Sequence, residues 1–152
     1  MKLTKHEKSS ENIKIYYLDE YYENSKNEFS ENIKKLREMD ENSINYFYKI
    51  LQKLKFKKNF SICVVPSKKI NERKSGVREL CIKLQKKLNL GNTLHCIHRG
   101  SNITSKYKRV TKVSLDEHYH SLYLIDKNNI LNKNILLIDD FIDTSNTIKA
   151  VS

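Results

Sequence analysis

The chain has 152 residues, 38% hydrophobic and 31% charged, with 3 Gly, 1 Pro and a formal charge of +11. That is one domain's length with apolar residues enough for one core, and it excludes collagen-like and Gly/Pro-rich proteins. No apolar run approaches the roughly eighteen residues of a membrane span, and MKLTKHEKSSEN at the start has no apolar signal-peptide core.

Residues 1–10 are polar and read as a frayed terminus. Asn12–Leu18 (NIKIYYL) has the β-branched and aromatic content of a strand, although the aromatics of IYYLDEYY could also cap a helix. From Ser25 the apolar spacing turns helical through Phe29, Ile33 and Leu36, with Asp40 or Asn42 as a break and new N-cap. Ile44, Phe47, Tyr48, Leu51 and Leu54 form a second core-facing stripe. Phe60–Val65 (FSICVV) is a short buried strand ending at Pro66. Ser75–Leu90 is helical, with Val77, Leu80, Cys81, Leu84 and Leu88 on one face and Gly91 as its stop. Thr93–His98 (TLHCIH) reads as a strand, Arg99–Lys112 as an exposed basic loop, and His120–Ile125 (HSLYLI) as a further strand before a turn at Asp126–Asn129. Ile135–Ile138 (ILLI) is the most apolar strand, and a helix is expected from Thr147.

Strands alternating with helices predict an α/β fold, a mostly parallel sheet flanked by helices with a helical N-terminal portion. Residues 1–58 form that N-terminal segment and 59–152 the core, within a single compact domain. Ligands of open α/β sheets bind at the carboxyl ends of the strands. The segments following Val65, His98 and Ile138 are therefore where a site is expected.

The charge is unevenly placed. Residues 1–51 carry a net −1, residues 52–113 a net +15 and residues 114–152 a net −3. The chain has 24 Lys, 16 Asn and 16 Ile, the mix that an AT-rich coding sequence produces, but drift of that kind would not confine the excess to the middle third. A basic segment followed by an acidic one points to a polyanion handled with a metal nearby, either a phosphorylated small molecule or a nucleic acid bound through residues 52–113. The three cysteines form no CxxC pair and fit a reducing, cytoplasmic setting.

The chemistry concentrates in ILLIDDFIDTSNTI (Ile135–Ile148). A buried strand delivers Asp139 and Asp140 at its carboxyl end, and a loop with Asp143, Thr144, Ser145, Asn146 and Thr147 leads into a helix. Unpaired N–H groups at a helix start, with three hydroxyls, can cradle a phosphate. Two carboxylates beside it can accept from ribose hydroxyls and hold the water shell of Mg²⁺. An ordinary strand–loop–helix with Asp143 or Ser145 as N-cap explains one or two of these residues, but not an acidic pair directly after a buried strand.

This segment resembles the phosphoribosyl pyrophosphate (PRPP) motif of type I phosphoribosyltransferases: four apolar residues, two acidic residues, two spacers, then Asp/Thr-Thr-Gly-x-Thr. VVPSKK (Val64–Lys69) is similar to the pyrophosphate-binding loop after that family's first core strand, with a Val-Pro-Ser stretch as in the ComF-like branch. The resemblance implies a type I phosphoribosyltransferase fold with the N-terminal segment as a hood, and transfer of phosphoribose from Mg²⁺–PRPP with release of pyrophosphate. It implies Asp139 and Asp140 on the ribose hydroxyls and the metal, and Asp143, Thr144, Ser145, Asn146 and Thr147 around the 5′-phosphate, with Asp143 a candidate acid/base. Pro66, Ser67 and Lys68 would bind pyrophosphate. Arg99, Lys106 and Arg109, with the later His118 and Ser121, resemble the family's basic segment: Arg99 and Lys106 would act on the leaving group and Arg109 on phosphate. Catalysis of that kind is mainly electrostatic.

Two departures stand out. Ser145 takes the place of the family's Gly, and the family continues past the point where this chain ends at Ser152. A truncated product, a protein partner that completes the sheet, and a loss of catalysis are the three readings of the second. The alternative function is accordingly a non-catalytic PRPP-, nucleotide- or nucleic-acid-binding subunit of a DNA-uptake, repair or phage-defence system, as the ComF-like resemblance implies. His95, Cys96 and His98 look like metal ligands, but strand alternation puts His95 and Cys96 on opposite faces, so core or loop histidines are expected. Cys63 reads as a small core hydrophobe.

Overall fold

The computed structural model describes residues 4–5, 16–24, 26–54, 60–67, 74–101 and 114–140. Two helices follow a short pairing of Thr4–Lys5 with Tyr16–Tyr17. α1 (Glu28–Arg37) starts at Asn27, whose side chain accepts from Ser30 N at 2.7 Å, and α2 (Glu41–Leu51) starts at Asp40, which accepts from Ser43 N at 2.8 Å. These caps satisfy N–H groups that the helix leaves without partners. That bonding holds the Asp40 carboxyl below its usual pKa. Met39, in the left-handed region at φ 64°, makes the tight reversal between the helices.

β3 (Phe60–Val64) is the central strand of a parallel three-stranded sheet, between β4 (Gly91–Asn92) and β7 (Asn134–Ile138). The β3–β7 register runs from Phe60 opposite Asn134 to Val64 opposite Ile138. α3 (Gly76–Leu88) connects β3 to β4, and its N-cap Ser75 accepts from Arg78 N at 3.2 Å. α1, α2 and α3 bury Phe29, Ile33, Leu36, Ile44, Phe47, Leu80 and Leu84 with Ile62 and Val64 in one core. The Phe29 and Phe47 rings meet edge to face at 5.7 Å. Gly76 is required by close approach, because a Cβ there would lie 1.9 Å from the Leu36 carbonyl oxygen.

Several details depart from the sequence-based expectations. Thr4–Lys5 (β1), expected to fray, pairs antiparallel with Tyr16–Tyr17 (β2). The stop of α3 is Asn89, at φ 50°, whose side-chain type tolerates the left-handed region; Gly91 begins β4 instead. Thr93–His98 is not one strand. The Thr93 N–H and hydroxyl both donate to Ile62 O, at 3.2 and 2.8 Å, and Cys96 N donates back to Thr93 O at 3.2 Å, which closes a turn. The chain extends again only at β5 (Ile97–Arg99), antiparallel to β6 (Leu122–Leu124). Between those two lies α4 (Leu115–His120), which the sequence reading missed and which the Ser114 side chain caps by accepting from Glu117 N at 3.1 Å. The fold is thus α/β with a parallel central sheet flanked by helices, but β5 and β6 pair antiparallel apart from it. No described helix is long and apolar enough to cross a membrane.

Candidate functional site

Because β3 and β7 run parallel and in register, their carboxyl ends finish level. Val65 N donates to Ile138 O at 3.0 Å, the last rung before both chains leave the sheet. Pro66 and Ser67 follow one strand, Asp139 and Asp140 the other. Two stretches more than seventy residues apart in sequence therefore meet at one sheet end, where α/β folds bind ligands.

Asp140 N donates to Asp139 Oδ1 at 2.9 Å, so the acidic pair braces itself. Burial pushes the Asp139 carboxyl well above the usual carboxylate range, and the charge of Asp140 pushes it further the same way. The second carboxylate reaches away from the sheet. Asp140 Oδ2 accepts from Arg37 Nε at 2.5 Å, an ion pair between the last residue of α1 and the end of β7. The Arg37 guanidinium also lies 5.6 Å from the centre of the Tyr21 ring, within cation–π range. Burial opposes its charge, but the attraction and hydrogen bond of Asp140 outweigh that and raise its pKa.

On the other side stands Arg99, the last residue of β5, only 4% exposed. Its Nε donates to Ser67 O at 2.6 Å, Nη2 reaches Pro66 O at 3.5 Å, and Nη1 donates to Ser121 Oγ. Ser121 Oγ in turn donates to His118 O at 2.7 Å. A buried guanidinium needs acceptors, and these carbonyls and the hydroxyl supply them. Burial lowers its pKa, and the attraction of Asp139 opposes that shift. Arg99 thus clamps the backbone that leaves β3 to the α4–β6 turn.

Of the residues expected to form the site, Asp139, Asp140, Pro66, Ser67 and Arg99 come together here. Lys68, Lys106, Arg109, Asp143, Thr144, Ser145, Asn146 and Thr147 lie outside the described residues. Arg37 was missed, since in sequence it is one more polar residue at a helix end and its partner is 103 positions away. Among the described residues the histidines do not gather. Arg78 Nη1 donates to His95 Nδ1 at 3.2 Å, His98 Nε2 bonds His95 O at 2.7 Å and His120 Nδ1 bonds Asp116 O at 2.8 Å. Among the described residues no three His, Cys, Asp or Glu side chains converge as a metal site.

Asp139 and Asp140 suit Mg²⁺ in donor type, since that ion takes hard oxygen ligands and is commonly held by one or two carboxylates plus water and phosphate oxygens. A carboxylate crowded by burial and a like charge, as Asp139 is, is relieved by a cation. Comparison of this chain with known protein families, with curated proteins and with solved structures finds no match.

Proposed function

We propose that the chain binds Mg²⁺–PRPP, or a related phosphoribosyl nucleotide, at the joined carboxyl ends of β3 and β7, and transfers the phosphoribosyl group to an acceptor with release of pyrophosphate. The observation that carries this reading is the adjacency of Pro66–Ser67 and Asp139–Asp140 across the Val64–Ile138 rung. Asp139 and Asp140 accept from the ribose hydroxyls and hold the metal. The Pro66–Ser67 backbone, held from behind by Arg99, presents the loop to the pyrophosphate. When bound, the ion neutralises charge that grows on the leaving pyrophosphate. Asp143–Thr147 take the 5′-phosphate, as their resemblance to the family motif implies.

The test is a calorimetric titration of PRPP into the protein, first with Mg²⁺ and then with EDTA. Micromolar binding that EDTA abolishes, and that Asp139→Asn with Asp140→Asn weakens more than tenfold, is the expected result. Absence of binding in Mg²⁺ overturns the reading. Binding without pyrophosphate release, across a panel of nucleobases and amines, assigns the non-catalytic role.

A further inference from the structure

Arg37 stands where a cation would be needed. Its Nε is 2.5 Å from Asp140 Oδ2, and it comes from the N-terminal helical segment, not from the sheet. The two side chains differ in exposure, 43% for Arg37 against 22% for Asp140, so the arginine is the more solvated member of the pair. Tyr21 lies within cation–π range of the same guanidinium. Lys34 and Lys35 share the last turn of α1 with Arg37 and favour its C-terminal dipole without it.

We propose that Arg37 is a built-in counter-ion of the acidic pair, so that a divalent cation and the guanidinium compete for Asp140. This rests on the reading of Asp139 and Asp140 as the metal-holding carboxylates. A guanidinium and a divalent ion on one carboxylate repel each other at contact distance, so cation binding turns Arg37 away from Asp140 and the ion pair weakens cation binding by the same factor. Arg37 therefore sets the cation threshold of the site and links its loading to the end of α1.

The test is titration of Mg²⁺ alone, followed by calorimetry, into the wild-type protein, Arg37→Met, Arg37→Lys, Asp140→Asn and the Arg37→Met/Asp140→Asn double variant. Circular dichroism checks the fold of each. Removing a partly exposed ion pair is expected to tighten Mg²⁺ binding roughly 1.5-fold to fivefold in Arg37→Met. Arg37→Lys keeps the positive charge on α1 but loses the planar fork, so it should fall between Arg37→Met and the wild type. The gain should vanish in the double variant. Equal Mg²⁺ affinity in wild type, Arg37→Lys and Arg37→Met overturns the inference and leaves the proposed function standing if the wild type still binds Mg²⁺–PRPP. A wild type that binds neither Mg²⁺ nor Mg²⁺–PRPP removes both. Unchanged Mg²⁺ binding with lost PRPP binding in Arg37→Met also overturns competition, and makes Arg37 a phosphate ligand instead.

Discussion

β3 and β7 are paired residue for residue, in parallel, yet they live in different surroundings. β3 is buried from Ser61 through Val64, with Ile62 and Cys63 at 0% exposure, although it includes a serine and a cysteine. β7 carries the more apolar run, Ile135–Ile138, and is only half-buried along it. The difference is positional. β3 has a strand on each side and the three-helix core against it, while β7 pairs with a single described strand. Residue hydrophobicity tells which segments want burial; the place of a strand in the sheet decides how much it obtains.

The comparison can be broken most forcefully from the core side. Leu84 on α3 is 1% exposed and belongs to the cluster that covers β3. Leu84→Ala should cost about 2–5 kcal/mol in denaturant unfolding, through lost transfer energy plus a cavity. Gly76→Ala comes next, at about 1–3 kcal/mol, since the added methyl meets the backbone oxygen of Leu36 and α1 must shift from α3. On the other strand, Leu137→Ala should cost only about 1 kcal/mol, in keeping with its half-burial. Equal losses for Leu84→Ala and Leu137→Ala would abolish the distinction between the two regions.

The remaining effect is on pH dependence and sits at the end of β7. The Asp139 pKa is raised in the folded protein, so the folded state binds more protons than the unfolded chain above the ordinary carboxylate pKa of about 4. In metal-free buffer this group therefore makes stability fall as pH rises from there toward its raised value. Asp139→Asn should flatten that slope in urea melts across the acid-to-neutral range. A slope of the same size in the variant would show that burial there does not penalise the charge.

Much of this was legible in the sequence. FSICVV and ILLI announce strands because short, mostly apolar runs rich in β-branched residues suit a sheet better than a helix. The sequence narrows the start of α2 to Asp40 or Asn42 and that of α3 to Ser75, and the structure takes Asp40 and Ser75 as the caps, because capping is local chemistry. Asp139 and Asp140 do directly follow the apolar strand, as the sequence reads, and the structure pairs Asp140 with Arg37 of α1 there. What escaped notice was non-local or weakly patterned. TLHCIH alternates like a strand, but Thr93 is drawn to Ile62 O by a contact thirty-one residues back along the chain. LDEHYH has no apolar period and is helical through its cap and its neighbours. Arg37 joins the site through a partner 103 positions away, which no spacing rule connects.

The thiols offer a last consequence. Cys63, Cys81 and Cys96 are all free and buried. Burial pushes the Cys63 thiol up to about 12 and raises the other two as well. Since only a thiolate attacks an alkylating or disulfide reagent, Cys63 and Cys81 should react slowly with such reagents in the native protein. Labelling of Cys63 on β3 or Cys81 on α3 then records a moment when that core stood open, and its rate becomes a clock for the opening that needs no engineered probe.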